Sequence, residues 1–283
     1  DYSNDTTSAA AKGPLTDATK VLCGTSSREN ANPPARDGNI EVLTLMAPTS
    51  VNYGPHGTDF GYFGGGVKPS TANSSSVDRI DYTNDTATSS PKGPLSAIKK
   101  YLAATGNANF GYFGGGEPGP KSTVDRINYA NDTITASVRG PLSVARRILG
   151  ATGNDSFGYF GGGSPGPLST VDRIDYSSDT ATALAKGPLS DARYGAAATG
   201  NADFGYFGGG FSPGQSSTVD RIDYSNDTGT TPTKGPLSAA RWHLAATGNS
   251  SFGYFGGGYD KVSTVDRIDY SSDTGPTPTK GPL

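Results

Sequence analysis

The sequence predicts an all-β protein in which one short unit is repeated along the chain, and three observations predict it. The phrase FGYFGGG begins at Phe60, Phe110, Phe157, Phe204 and Phe252, at spacings of 50, 47, 47 and 48 residues. A second phrase, VDRIDY or a near copy, begins at Val77, Val124, Val171, Val219 and Val265. A third, KGPL or RGPL, closes at Leu15, Leu95, Leu142, Leu189, Leu237 and Leu283. A fixed period of this length marks units that bury their faces against one another. Residues that recur in every unit are expected to build it. Residues that differ between units are the ones able to form a specific site.

Ser143 to Leu189 serves as the type unit. ILGATGN (Ile148 to Asn154) is short, small and apolar, and reads as a first strand. FGYFGGG (Phe157 to Gly163) is aromatic and glycine-rich, a second strand where a neighbouring sheet comes close. STVDRIDY (Ser169 to Tyr176) alternates and carries β-branched residues, a third strand. TATALAKGPL (Thr180 to Leu189) runs to a Gly-Pro stop, a fourth. Turn signals separate them at Gly153-Asn154, Ser164 to Pro167, Ser177 to Asp179 and Gly187-Pro188. SVARRIL is too short for more than a turn or lead-in. Four short strands per unit, repeated, is the pattern of a β-propeller blade. The small first strands, such as Ala103-Ala104-Thr105 and Ala197-Ala198-Thr199, suit the crowded centre of such a ring.

Composition agrees. Gly (41) and Pro (20) exceed a fifth of the 283 residues, and the period places them at strand ends and turns rather than in disorder. The net charge of −3 is evenly spread, so no basic face invites nucleic acid. No 18-residue apolar run is present to span a membrane as a helix. Cys23 is alone, which excludes a disulfide framework and a cysteine-based metal site. The chain opens on Asp1-Tyr2, inside a repeat phrase. That reads as a processed or truncated start, so the lack of a signal peptide says little.

The order of lead-in Arg, small strand, FGYFGGG, STVDRIDY and SNDT resembles the kelch repeat. The glycine pair Gly161-Gly162 and Tyr176 match that family, and Arg146, Arg193 and Arg241 match its lead-in, with Lys99 in one unit. The fourth-strand tryptophan of the family is missing. The wording FGYFGGG…STVDRIDYSNDT also looks like repeats of marine phage virion and tail-fibre-like proteins. The resemblance covers residues 60–283 and does not reach 28–59. It implies a single kelch-like β-propeller domain over 1–283, of about six four-stranded blades with seven also compatible. An irregular N-terminal blade is expected, with 28–59 as an insertion and 60–283 as regular repeats. Asp1 to Leu15 reads as half a unit, and Thr16 to Ser27 as a lead-in and first strand. Within the insertion NIEVLTLM reads as a strand able to pair with the half-blade, in the same chain or a neighbour.

Candidate chemistry is thin. SNDTGTT from Ser225 and SSDTGPT from Ser271 fit the Asp-box turn, which sialidases carry as a structural hairpin. The pairs Asp78-Arg79, Asp125-Arg126, Asp172-Arg173, Asp220-Arg221 and Asp266-Arg267 recur in every complete unit. They read as an interblade ring, each Arg met by the same Asp of the adjacent blade. Asn4, Asn84, Asn131 and Asn226 open N-D-T sequons that a secretory route would make N-glycan acceptors; Asn73, Asn154 and Asn249 open others. His56 and His243 have no partner at metal spacing. FGGG lacks the GK[ST] of a phosphate loop.

The positions that vary are Lys99-Lys100-Tyr101, Arg146-Arg147-Ile148, Arg193-Tyr194-Gly195 and Arg241-Trp242-His243. Loops between second and third strands also vary, starting at Val67, Glu117, Ser164, Phe211 and Tyr259. In a propeller both sets emerge on one face. Lys99, Lys100, Tyr101, Arg146, Arg147, Arg193, Tyr194, Arg241, Trp242 and His243 are therefore the candidate binding face. The function expected is a non-enzymatic structural or adhesive module, extracellular or on a virion surface, with no cofactor. Its partner is expected to be a protein or surface glycan, and self-assembly into an oligomer or filament is expected as well. A glycan-active enzyme of sialidase or oxidase type and an intracellular kelch adaptor are the alternatives.

Overall fold

The computed structural model describes residues 5–15, 23–26, 60–67 and 73–283. They form five antiparallel sheets, each a simple meander. The first holds β1 (Cys23–Ser26), β2 (Phe60–Gly64), β3 (Val77–Asp81) and β4 (Ser90–Lys92). The second holds β5 (Ala103–Gly106), β6 (Phe110–Gly114), β7 (Val124–Asn128) and β8 (Ser137–Arg139). The third holds β9 (Gly150–Gly153), β10 (Phe157–Gly161), β11 (Val171–Asp175) and β12 (Leu184–Lys186). The fourth holds β13 (Ala197–Gly200), β14 (Phe204–Gly208), β15 (Val219–Asp223) and β16 (Thr233–Lys234). The fifth holds β17 (Ala245–Gly248), β18 (Phe252–Gly256) and β19 (Val265–Asp269), and its outer strand shrinks to the bridge Asp266↔Thr279.

The first strands of successive sheets pack side by side, β1 on β5, β5 on β9, β9 on β13 and β13 on β17. The sheets are thus blades around a common centre, and the protein is an all-β propeller. It has five blades among the described residues, not the six or seven expected. Among the described residues the half-unit at the N-terminus forms no sheet of its own. The first strand that follows it joins the first blade instead, with Cys23 opposite Gly64 and Ser26 opposite Gly61. NIEVLTLM and His56 lie outside the described residues.

One junction shows how the repeated phrases hold blades together. Between the third and fourth blades, the Tyr159 hydroxyl donates to Asp227 Oδ2 at 2.9 Å, and Arg173 Nη1 donates to the same oxygen at 2.8 Å. Lys186 Nζ lies 3.1 Å from Oδ1, and the Gly187 N–H donates to the Asp227 carbonyl at 2.7 Å. Tyr159 stacks on Tyr224 with centroids 4.8 Å apart. Phe207 fills the space left by Gly161, where a Cβ would come within 2.6 Å of the ring. Asp132, Asp179 and Asp273 do for their junctions what Asp227 does here. The two Asp-box turns are part of this interlock, since Asp227 and Asp273 are their aspartates.

The Asp-Arg pairs are structural, but not with the partners expected. Neighbouring residues of a strand point to opposite faces, so Asp172 and Arg173 cannot serve one interface. The arginine reaches forward to the next blade's turn aspartate and lies over its own blade's phenylalanine, Arg173 above Phe157 at 4.3 Å. The aspartate is buried against its own blade's lead-in cation, as in Lys99–Asp125 (2.9 Å), Arg146–Asp172 (2.8 Å) and Arg193–Asp220 (2.8 Å), and also Arg241–Asp266.

The N-terminal segment carries this pattern from the fifth blade to the first. Asp5 accepts from Tyr254 at 3.0 Å and Arg267 at 2.8 Å, and the Gly281 N–H donates to the Asp5 carbonyl at 2.7 Å. On its other side the Gly13 N–H donates to the Asp85 carbonyl at 2.7 Å, and Lys12 pairs with Asp85 at 3.4 Å.

Candidate functional site

The lead-in segments and the loops between second and third strands are woven into one collar. Arg147 bridges to Ser164 of its own blade, and Arg146 to Lys121 of the blade before. Tyr194 bridges to Phe211, Lys100 to Glu117, and the Tyr259 N–H donates to the Trp242 carbonyl at 3.0 Å. A second ladder runs from lead-in to lead-in. The Ile148 N–H donates to Tyr101 C=O at 2.8 Å, Gly195 to Ile148 at 2.9 Å, and His243 to Gly195 at 2.8 Å. The four residues share a left-handed backbone, with φ of 57° at Tyr101, 56° at Ile148, 70° at Gly195 and 55° at His243. For the three that are not glycine this geometry costs on the order of 1–3 kcal/mol each. The backbone alone makes the ladder, so the side chains there are free to differ.

Those side chains gather on the fourth and fifth blades into an aromatic cluster. Trp242 lies 4.3 Å from His243, 4.8 Å from Tyr259, 5.2 Å from Phe211 and 5.8 Å from Tyr194, measured between ring centroids. Tyr101 reaches His243 from the second blade at 6.2 Å. Gly195 makes room for the cluster, since a Cβ there would meet Trp242 at 3.3 Å. Tyr259 is 65 % exposed, and the other rings are partly exposed. Burial holds the His243 pKa below the ordinary imidazole value, so the ring is neutral near pH 7. Polar groups border the cluster. Glu117 is paired with Lys100 at 3.5 Å and with Arg147, and Gln215 Nε2 donates to Asp260 at 2.8 Å.

The structure divides the ten residues chosen from sequence. Lys100, Tyr101, Arg147, Tyr194, Trp242 and His243 stand on the collar. Lys99, Arg146, Arg193 and Arg241 do not face a ligand; they are 1 %, 0 %, 1 % and 4 % exposed and belong to the buried ion pairs described above. Each lies one residue before a partly exposed neighbour, so alternation turns it inward. Glu117, Phe211 and Tyr259 join the site, and each opens a variable loop directly after FGGG. Among the sequon residues, Asn84, Asn131 and Asn226 are exposed in turns, and Asn4 lies outside the described residues. Asn154 and Asn249 accept backbone N–H groups of their own turns.

Among the described residues no three His, Cys, Asp or Glu side chains come together as a metal-binding set. No described helix is long and apolar enough to cross a membrane. No family model matches the chain, and no curated protein matches it.

Proposed function

We propose that this is a non-enzymatic adhesive or structural propeller of kelch-like blades. In this reading it is a component of an extracellular or virion surface, akin to the phage tail-fibre-like proteins whose repeats it resembles. It binds a surface glycan or protein partner through the collar and takes part in assembly. One observation carries the reading. The polar residues repeated in every unit are engaged in blade-to-blade and buried ion pairs, while the non-repeated Tyr101, Tyr194, Phe211, Trp242, His243 and Tyr259 converge on one face. Aromatic rings with a polar border offer stacking surface and hydrogen bonds together, the composition of binding hot spots.

The test is a glycan array together with binding to host-surface protein extracts, using the full chain and the Trp242→Ala and Tyr259→Ala variants. Removing a central aromatic anchor is expected to weaken binding by about thirtyfold or more, the effect of losing about 2 kcal/mol. Melting temperatures should stay within a few degrees of the parent. Binding that survives both substitutions would overturn the assignment of the face. Turnover of a sialoside or galactoside that one substitution abolishes would replace the adhesive reading with the enzymatic one.

A further inference from the structure

We propose that the Trp242 cluster takes a neutral hexose, one or two pyranose rings of a surface glycan, held by stacking and by the Gln215–Asp260 pair. The proposal rests on the collar being the binding face and names its ligand. Three observations carry it.

The first is size. Phe211, Tyr194, His243 and Tyr259 have ring centroids within 5.8 Å of Trp242. A disc of that radius covers about 100 Å², against about 800 Å² for one side of a stable protein interface. The cluster matches one or two sugar rings better than a folded partner. Tyr259, 65 % exposed, is its most open ring. Sugar C–H groups carry slight positive charge and an aromatic face carries negative charge, so the two stack favourably.

The second is a polar pair beside the rings. Gln215 bridges through its backbone to Phe211, and Asp260 follows Tyr259 in the chain. Gln215 Nε2 donates to Asp260 Oδ2 at 2.8 Å, which ties the two loops together. Both side chains are exposed. Their bond uses one of the two amide N–H groups and one carboxylate lone pair. The other N–H, the amide oxygen and the second carboxylate oxygen offer a donor and acceptors together, the mixture that vicinal hydroxyls engage. A few fixed polar groups beside an apolar platform set the orientation of a small ligand.

The third is charge. The loop of Tyr259 brings one anion and one cation side by side, Asp260 and Lys261. The lead-in arginines of these two blades, Arg193 and Arg241, are buried against Asp220 and Asp266. Lys100 and Arg147 stand on the second and third blades and share Glu117. Nothing in this set clamps a carboxylate or phosphate as free arginines do, and Asp260 beside Tyr259 repels one.

The experiment titrates the intact chain with the methyl glycosides of glucose, galactose, mannose and N-acetylglucosamine, and with that of sialic acid as the acidic probe. Emission from Trp242, the sole tryptophan, is the readout. Saturable binding of at least one neutral glycoside is expected, with a dissociation constant on the order of 1 mM for a ligand of this size. Raising NaCl from about 0.05 to about 0.5 M should change it less than about twofold, because no charge is neutralised on binding. Gln215→Ala and Asp260→Ala should each weaken binding by about 2- to 10-fold, the effect of a lost hydrogen bond. Tyr259→Ala should weaken it by about tenfold or more, and Tyr259→Phe should recover most of that loss. Binding of the sialoside alone, or binding indifferent to all these changes, would overturn the sugar assignment. So would a surface protein captured through Trp242 with no neutral glycoside bound, which would leave the collar as the binding face. Failure of every glycoside and every protein extract would overturn the assignment of the face itself.

Discussion

Replacing Asp227 by Ala should cost far more stability than the same change at Asp85. Asp227 sits at the centre of a junction, its side chain 6 % exposed, and binds Tyr159, Arg173 and Lys186 at 2.9, 2.8 and 3.1 Å. The two hydrogen bonds to its charged oxygen are worth about 1.5–3 kcal/mol each. The Lys186 pair adds at most about 1 kcal/mol, since that side chain keeps some water. Arg173 keeps 19 % of its surface exposed, so once stranded it recovers part of its hydration. The net loss should be about 3–4 kcal/mol, below the sum of the parts. At roughly 2–4 °C per kcal/mol for a chain of a few hundred residues, the midpoint should fall by about 6–16 °C. Among the described residues Asp85 has no tyrosine or arginine partner and keeps Lys12 at 3.4 Å, so Asp85→Ala should cost about 1 kcal/mol or less. Denaturant melts of the two variants, read with their slopes, provide the assay. Equal losses would refute the hub as the source of junction strength.

Two further predictions follow from the same junctions. Gly161→Ala places a methyl 2.6 Å from Phe207 and should cost about 1–3 kcal/mol by overpacking, whereas Gly256→Ala meets nothing closer than 3.5 Å and should melt like the parent. Tyr112, Tyr159 and Tyr206 are held far above the ordinary phenol pKa, first by burial and then by Asp179, Asp227 and Asp273. Their neutral forms stabilise the fold fully below about pH 10, the unfolded value, and that contribution fades as pH rises toward the folded values. An absorbance titration should therefore show a late class of tyrosines that ionises only with unfolding, and uniform ionisation near pH 10 would contradict the hydroxyl–carboxylate bonds.

How far the sequence could be read depended on what each phrase records. The strands were legible because FGYFG and VDRID occupy the second and third strands with the same bounds in every blade. The Gly–aromatic contact between sheets was legible too, since a missing Cβ has one use beside a ring. The blade number was not, because a period counts phrases, and the half-unit of phrases at the N-terminus bridges two blades instead of making one. Partner choice was also hidden. Asp172 and Arg173 are adjacent in sequence, and only alternation across the pleat shows that they face different neighbours. The same alternation misplaced Lys99, Arg146, Arg193 and Arg241 on the binding face when it turns them into the core. Phe211 and Tyr259 lie far from Trp242 along the chain; the backbone bridge from Tyr194 to Phe211 brings in the first loop, and the Tyr259 N–H bond to the Trp242 carbonyl brings in the second.

The collar shows where this fold tolerates difference. A change in FGY, DRI, NDT or KGPL disturbs two blades at once, since each supplies one side of a junction. Tyr101, Ile148, Gly195 and His243 instead hold one backbone geometry with four different side chains, because the ladder uses N–H and C=O groups alone. Glycine would relieve the left-handed strain at all four, yet it occurs at one, and there Trp242 takes up the space. Gly195 is thus the place where backbone and aromatic cluster meet. Gly195→Ala should cost about 1–2 kcal/mol for an L-residue at φ 70° and push against Trp242 at 3.3 Å. Trp242 is the sole tryptophan of the chain, so its emission reads the cluster directly. A shifted emission maximum with a midpoint lowered by about 2–8 °C is the expected outcome. An unchanged spectrum would mean that Trp242 is not seated over Gly195, and the aromatic face would lose the packing that defines it.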